Sequence, residues 1–184
     1  PLARGASVID RRLNTQIQYN DNFLNDTLNV LGRAFLGRYS YEQPGFYSGE
    51  KTLSTGPSDW HGVELRLLST AFADHKLMAG FEYQNNTNIT QAFQNFNNPD
   101  ENLRIKSSVM RLGVYLQDEW RITDTLSATV GLRYDHNHWI GSRLSPRGAL
   151  IWQATPKATF KALYGRAHRS PNSYERDYGD NISQ

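Results

Sequence analysis

The chain of 184 residues contains no cysteine, which excludes disulfides and thiolate-held metals. It has no apolar run of about 18 residues, so none of it reads as a membrane-crossing helix. No secretory leader opens it: Pro1-Leu2-Ala3-Arg4-Gly5 runs into polar sequence. An excess of one charge is also missing. Twenty basic against 18 acidic residues leave a net charge of +2, which gives no electrostatic hold on nucleic acid. Catalytic signatures are absent: there is no GxSxG, no HExxH and no cysteine nucleophile. Apolar residues make up only 38%, too few for an ordinary globular core.

Aromatics, however, reach 12%, with ten Tyr, eight Phe and four Trp. Disordered chains are poor in aromatics. Low hydropathy with many aromatics fits a sheet that shows lipid on one face and water on the other.

Alternation is the dominant signal. From Val109 to Arg121 the even positions read Met110, Leu112, Val114, Leu116, Asp118, Trp120. The odd positions read Arg111, Gly113, Tyr115, Gln117, Glu119, Arg121. A period of two is that of a strand. After the polar turn Ile122-Thr123-Asp124-Thr125 it repeats, with Leu126, Ala128, Val130, Leu132 and Tyr134 on one face. Upstream, Val63, Leu65 and Leu67 alternate with Gly62, Glu64 and Arg66, and Leu77, Ala79, Phe81 and Tyr83 with Met78, Gly80, Glu82 and Gln84. Asp118 breaks the apolar face beside Trp120, where a strand leaves hydrocarbon and a charge costs about 0–1 kcal/mol.

The pattern predicts eight strands, at 8–20, 27–40, 60–72, 77–91, 107–121, 126–138, 145–153 and 158–168. The run 145–153 is ambiguous, because Leu150 and Trp152 alternate with Ala149, Ile151 and Gln153. Connections 21–26, 73–76, 122–125 and 154–157 are short, whereas 41–59, 92–106 and the stretch after 168 are long; only 139–144 departs from that alternation. Short turns on one side and long loops on the other are the outer-membrane barrel arrangement. Trp60, Trp120, Tyr134, Trp152 and Tyr164 fall near strand ends, as an interfacial girdle would.

The run Gly113-Val114-Tyr115-Leu116-Gln117-Asp118-Glu119-Trp120-Arg121 resembles the "YxQDEW" strand of TonB-dependent receptors. Val130-Gly131-Leu132-Arg133-Tyr134-Asp135 is similar to their "GLRYD" strand. Ser145-Pro146-Arg147-Gly148-Ala149-Leu150 follows, and Leu163 to Asn172 looks like their "YGRAFRAPN" segment, with His168 for Phe and Ser170 for Ala. The resemblance implies a barrel of about 22 strands closed around a plug. It implies the outer membrane of a Gram-negative bacterium and uptake of a scarce ligand, such as a ferric siderophore or cobalamin, driven by the TonB complex. The expected fold is therefore all-β: an antiparallel, up-and-down transmembrane barrel segment of about eight long strands from a larger barrel. Residues 1–184 would form one partial barrel domain, with no plug and no TonB box in this sequence. Lipid, lipopolysaccharide, the parent chain's plug and the TonB complex would be its partners, and a metal chelate its ligand. No cofactor is expected.

The polar face offers Glu64, Arg66, Glu82, Arg111, Glu119 and Arg133, with Arg33 and Lys161, as lumen-facing candidates. Such charges fit a wide wet lumen better than a tight core. Asp135, His136 and His138 come nearest to a metal cluster, but Asp135 and His136 point to opposite faces, and a polar loop edge is the default reading. Arg166, Arg169 and Arg176 read as solvated loop charge. Asn25-Asp26-Thr27, Asn85-Asn86-Thr87, Asn88-Ile89-Thr90 and Asn181-Ile182-Ser183 match the glycosylation sequon by chance in an Asn-rich chain. The competing readings are a passive porin- or adhesin-type barrel and a soluble β-sandwich or lipid-binding barrel.

Overall fold

The computed structural model describes residues 7–172 and 175–176. It is one antiparallel sheet of nine strands: β1 (Ile9–Phe23), β2 (Leu28–Tyr47), β3 (Glu50–Thr55), β4 (Ser58–Ser69), β5 (His75–Asn95), β6 (Leu103–Arg121), β7 (Leu126–Asn137), β8 (Gly141–Thr155) and β9 (Ala158–Gly165). No helix is long and apolar enough to cross a membrane. The strands follow one another in an up-and-down order, except that β2 pairs along its lower part with β4 and along its upper part with β3. Both β3 and β4 then pair with β5. No pairing joins β1 to β9 among the described residues.

The sequence pattern places a loop at 41–59; much of that stretch is instead a hairpin. β2 runs on to Tyr47, turns through Ser48 and Gly49, and returns as β3. Both turn residues have positive φ, 51° and 86°, as a two-residue hairpin turn demands, and glycine adopts that conformation without strain. Similarly β5 and β6 reach Asn95 and start at Leu103, so the loop expected at 92–106 shrinks to 96–102. These extensions stand beyond the apolar band. Both of their faces are largely polar, so they carry no apolar–polar alternation to read.

Burial is inverted relative to a soluble protein. Among the described residues the buried hydrophobic core consists of Val109 alone. Val114 and Leu116 are 44% and 60% exposed, while Gln117 on the opposite face is 8% exposed. No second layer covers Met110 through Leu116, which removes the β-sandwich reading. The register keeps the apolar residues on one continuous surface: Leu65 pairs with Phe81, Phe81 with Val114, Val114 with Tyr134, and Tyr134 with Leu144. Burying each such face in hydrocarbon is favourable at about 25 cal/mol per Å². The ambiguous strand β8 is settled by its partners, since Trp152 pairs with Leu126 and Leu150 with Ala128, which puts both on the apolar surface.

The anomaly at Asp118 also has a physical account. His75 begins β5 on the same face, and its Nδ1 lies 2.7 Å from Asp118 Oδ2. The His75 ring stacks on Trp120, centroids 5.5 Å apart. The acid therefore sits in a polar and aromatic cluster beside the turns, at the edge of the band.

In the full receptor, Leu116→Arg lowers folding stability in lipid bilayers by about 2–4 kcal/mol, as a cation in the middle of the band should. Denaturant titration in vesicles reads the loss. An unchanged midpoint would mean that water, not hydrocarbon, covers this surface.

Candidate functional site

Opposite the apolar surface the sheet is concave and charged. A row of register partners crosses it: Arg33 on β2, Glu64 on β4, Glu82 on β5, Gly113 on β6 and Asp135 on β7. Arg33 pairs with Glu64. From the next row, Arg133 reaches into the space above Gly113. Its Nη2 and Nη1 donate to the two Glu82 oxygens at 2.6 and 3.1 Å, and its Nε to both Asp135 oxygens at 2.8 and 3.0 Å. Gly113 is needed there, because a Cβ would lie 2.4 Å from Arg133 Nη2. Beside it, the Tyr115 ring lies over Gly80 on the neighbouring strand and 5.6 Å from the Arg133 guanidinium.

Glu64, Glu82, Arg111 and Arg133 line one concavity of about 1160 Å³, together with Arg33, Asp135, Arg147 and Arg166. Arg66 shares their face, opposite Gly80, and its buried Nε has no hydrogen-bond partner. Glu119 lies toward the short turns, held by Lys76 at 3.3 Å and Gln117 at 3.0 Å. Five arginines meet three carboxylates in the concavity. Arg33 and Arg133 take the carboxylates, and Arg111, Arg147 and Arg166 have no acidic partner among the described residues. No group of three or more His, Cys, Asp or Glu could hold a metal ion among the described residues. Asp135 turns to Arg133, and His136 Nδ1 to Ser142 Oγ at 3.1 Å.

The girdle candidates divide. Trp120, Tyr134, Trp152 and Tyr164 are exposed on the apolar surface, and Trp152 stacks with Phe160 at 5.7 Å. Trp152 is level with Leu126, eight residues below Tyr134 on β7. That is about 27 Å along a strand, or about 20 Å of height at a tilt near 40°. Trp60 differs. It lies an even number of residues from Gly62 and Glu64 on a regular strand, so it shares the charged face. Its ring covers Gly37, where a Cβ would meet it at 2.3 Å, and Arg12 lies 5.7 Å from its centroid. Nearness to a strand end did not tell which face it was on; counting from Glu64 would have.

The segment after β9 was expected to be solvated loop, and its described part folds back over the concave face. Asn172 and Glu175 cap one another: Glu175 N donates to Asn172 Oδ1 at 2.8 Å and Asn172 N to Glu175 Oε2 at 3.0 Å. The reciprocal pair is a capping box with N-x-x-E spacing. Arg169 adds two hydrogen bonds to the Glu175 carboxylate, at 2.9 and 2.8 Å. Arg176 rests 3.8 Å from the Trp139 ring centroid. Residues 173–174 and 177–184, and with them the sequon at Asn181, lie outside the described residues.

Comparison with known proteins agrees with this wall. The family model described as TonB dependent receptor-like, beta-barrel matches residues 3–184. The ferric enterobactin receptor of Pseudomonas aeruginosa is 31% identical over 75 residues, which are 41% of this chain and 10% of that protein. The solved copper transporter OprC aligns with a TM-score of 0.77 at 15% identity, over 94% of this chain and 32% of its own. The ferric citrate transporter FecA in the unliganded form aligns at 0.67 and 15% identity, over 86% and 27%. The FrpB iron transporter of Neisseria meningitidis aligns at 0.65 and 19% identity, over 89% and 28%. At these identities the structural likenesses show the fold, and the chain spans about a third or less of each relative.

Two expectations follow. Arg133→Met leaves Glu82 and Asp135 without their shared cation. With Arg133 36% exposed, solvent screening limits the cost to about 1–2 kcal/mol. A double-mutant cycle with Glu82→Gln should show coupling of about 1 kcal/mol, and strict additivity would remove the pair's role. Hydrogen bonds from Arg169 and then from the Asn172 backbone hold the Glu175 carboxyl below the ordinary carboxylate range. A lowered folded value means that the contribution is complete above the unfolded value, near 4.5, and disappears as pH falls through the folded one. Protection of the amides around Asn172 in the detergent-solubilised receptor, measured relative to their intrinsic exchange rates, should fall only in acid.

A single two-faced sheet, a charged concave side, and a family match over nearly its whole length establish that this chain belongs to the TonB dependent receptor-like β-barrel family.

Proposed function

We propose that the chain is part of the barrel wall of an outer-membrane receptor in a Gram-negative bacterium, which takes up an iron chelate in a TonB-dependent way. The inverted burial carries this reading: apolar residues face outward and arginines and carboxylates face the concavity. A passive scaffold needs no surplus of unpaired arginine on that side. Arg111, Arg147 and Arg166 favour an anionic cargo, as many ferric chelates are. The names of the relatives add support, since a ferric enterobactin receptor, a ferric citrate transporter and an iron transporter are among them.

The two edges, β1 and β9, complete the argument. An unpaired strand edge in hydrocarbon leaves peptide groups that cost several kcal/mol each. Further strands of the parent chain therefore close the wall, and its plug fills the lumen. The TonB complex acts through that plug. Lipid covers the apolar surface, and lipopolysaccharide flanks the hairpins above it.

The test is radioiron uptake by iron-starved cells that express the full receptor and lack other ferric-chelate receptors. Ferric enterobactin and ferric citrate serve as probes, with and without TonB. Uptake of either should vanish when TonB is removed; equal uptake in both strains would overturn energised transport. Replacing 96–102 by a short Gly-Ser turn should weaken binding of the accepted chelate about tenfold, a loss of about 1.4 kcal/mol. Assembly in the outer membrane should be unaffected. Unchanged binding would move recognition away from this loop.

A further inference from the structure

Above the apolar band most side chains are polar, yet several apolar and aromatic ones gather on the inner side. Val109, the buried hydrophobic residue among those described, lies two positions from Arg111 on β6 and shares its face. Beyond the bulge in β5, Ile89 pairs with Ser107 and Phe93 with Leu103, so both follow the same parity and also face inward. With Tyr41 and Trp139 these residues line a concavity of about 550 Å³. An apolar patch on the water-facing side of a wall marks a surface that something covers.

The rings are held in place before any ligand arrives. Tyr41 lies over Gly56, where a Cβ would meet its ring at 2.2 Å. Tyr47 meets Phe93 edge-on, with centroids 6.2 Å apart and planes at 88°. Trp139 Nε1 donates to Ser108 O at 2.8 Å. Rings already ordered lose little entropy when a partner binds. Arg111 lines the same concavity and is exposed. It has a 3.4 Å hydrogen bond to Asn86 and no acidic partner among the described residues. Aromatic surface beside an uncommitted guanidinium suits an arene that carries negative oxygen.

We propose that this concavity takes an aryl arm of an anionic ferric chelate, a catecholate or phenolate, with Tyr41, Phe93 and Trp139 against the ring and Arg111 toward the oxyanions. A dry cavity of about 150 Å³ accepts benzene, so the volume is ample for one such arm. An aliphatic hydroxycarboxylate chelate such as ferric citrate gains from Arg111 but nothing from the rings. The site thus separates aryl from aliphatic chelates. This inference names the cargo class of the iron-chelate reading above and rests on it.

The test is equilibrium dialysis of the full receptor in detergent against radioiron held by enterobactin, a tris-catecholate, or by citrate. The native receptor should bind ferric enterobactin the more tightly. Phe93→Leu and Tyr41→Leu together should weaken ferric enterobactin about tenfold and leave any binding of ferric citrate unchanged. Phe93→Tyr, which keeps the ring, should retain the affinity. Arg111→Gln should weaken both probes severalfold, since both are anionic. Tyr41 packs over Gly56, so if Tyr41→Leu fails to assemble, Phe93→Leu against Phe93→Tyr decides alone, with about a threefold loss expected. Equal losses for both probes, no loss for ferric enterobactin, or a loss in Phe93→Tyr as large as in Phe93→Leu would overturn the aryl site. Tighter binding of ferric citrate by the native receptor would overturn it too, while leaving iron-chelate uptake intact. Binding of neither probe would instead count against the iron-chelate reading itself.

Discussion

Hydrocarbon cannot hydrogen-bond a peptide group, and that single constraint organises this chain. Every backbone N–H and C=O at membrane depth must find its partner in the wall. Pairing is accordingly unbroken through the apolar band, from Ala34 on β2 through Val63, Tyr83, Leu112 and His136 to Ser142 on β8. The irregularity between Asn86 and Ile89 comes where the wall leaves the band, next to Asp59 and Asn88. A bulge there costs little, because water can satisfy what the ladder releases.

The same constraint frees the inner face. A wall that is held by its backbone and by lipid needs no core, so its other side can carry charge. Long side chains on that side would still obstruct the lumen if they stood upright. They lie down instead, each over a glycine on the next strand: Phe35 over Gly62, Tyr115 over Gly80, Arg147 over Gly131. In each case the glycine and the side chain that covers it are register partners. The glycines are thus spaced by what their neighbours need, and these three side chains keep contact area without standing into the concavity.

Whatever the bilayer dictates was legible in the sequence. The hairpins, with turns expected at 73–76 and 122–125, and the face shared by Leu112, Val114 and Leu116 follow from a period of two. β3 was not legible, because Glu50–Thr55 carries polar side chains on both faces and shows no apolar–polar alternation. The upper half of β5 was also hidden: the bulge after Asn86 changes which parity faces outward. Trp60 falls on the charged face, because parity with Glu64 and not nearness to a strand end decides the side. Asp118 looked like an exception only until His75 was known to be its neighbour, a relation between residues 43 positions apart.

The least legible part is the segment that follows β9, for a related reason. Its anchors are isolated polar contacts between distant residues, such as Asn137 with Ser170 and Trp139 with Arg176. No local pattern announces such a contact. Lipid fixes only about ten residues of each strand, and the strands here run to as many as 21 residues. The surplus length, the hairpins and the returning segment are free of the bilayer's demand for alternation. They are consequently where chemistry can vary without loss of the fold. Charge on the inner side can therefore vary without loss of the fold, while the apolar surface below is constrained only to be greasy.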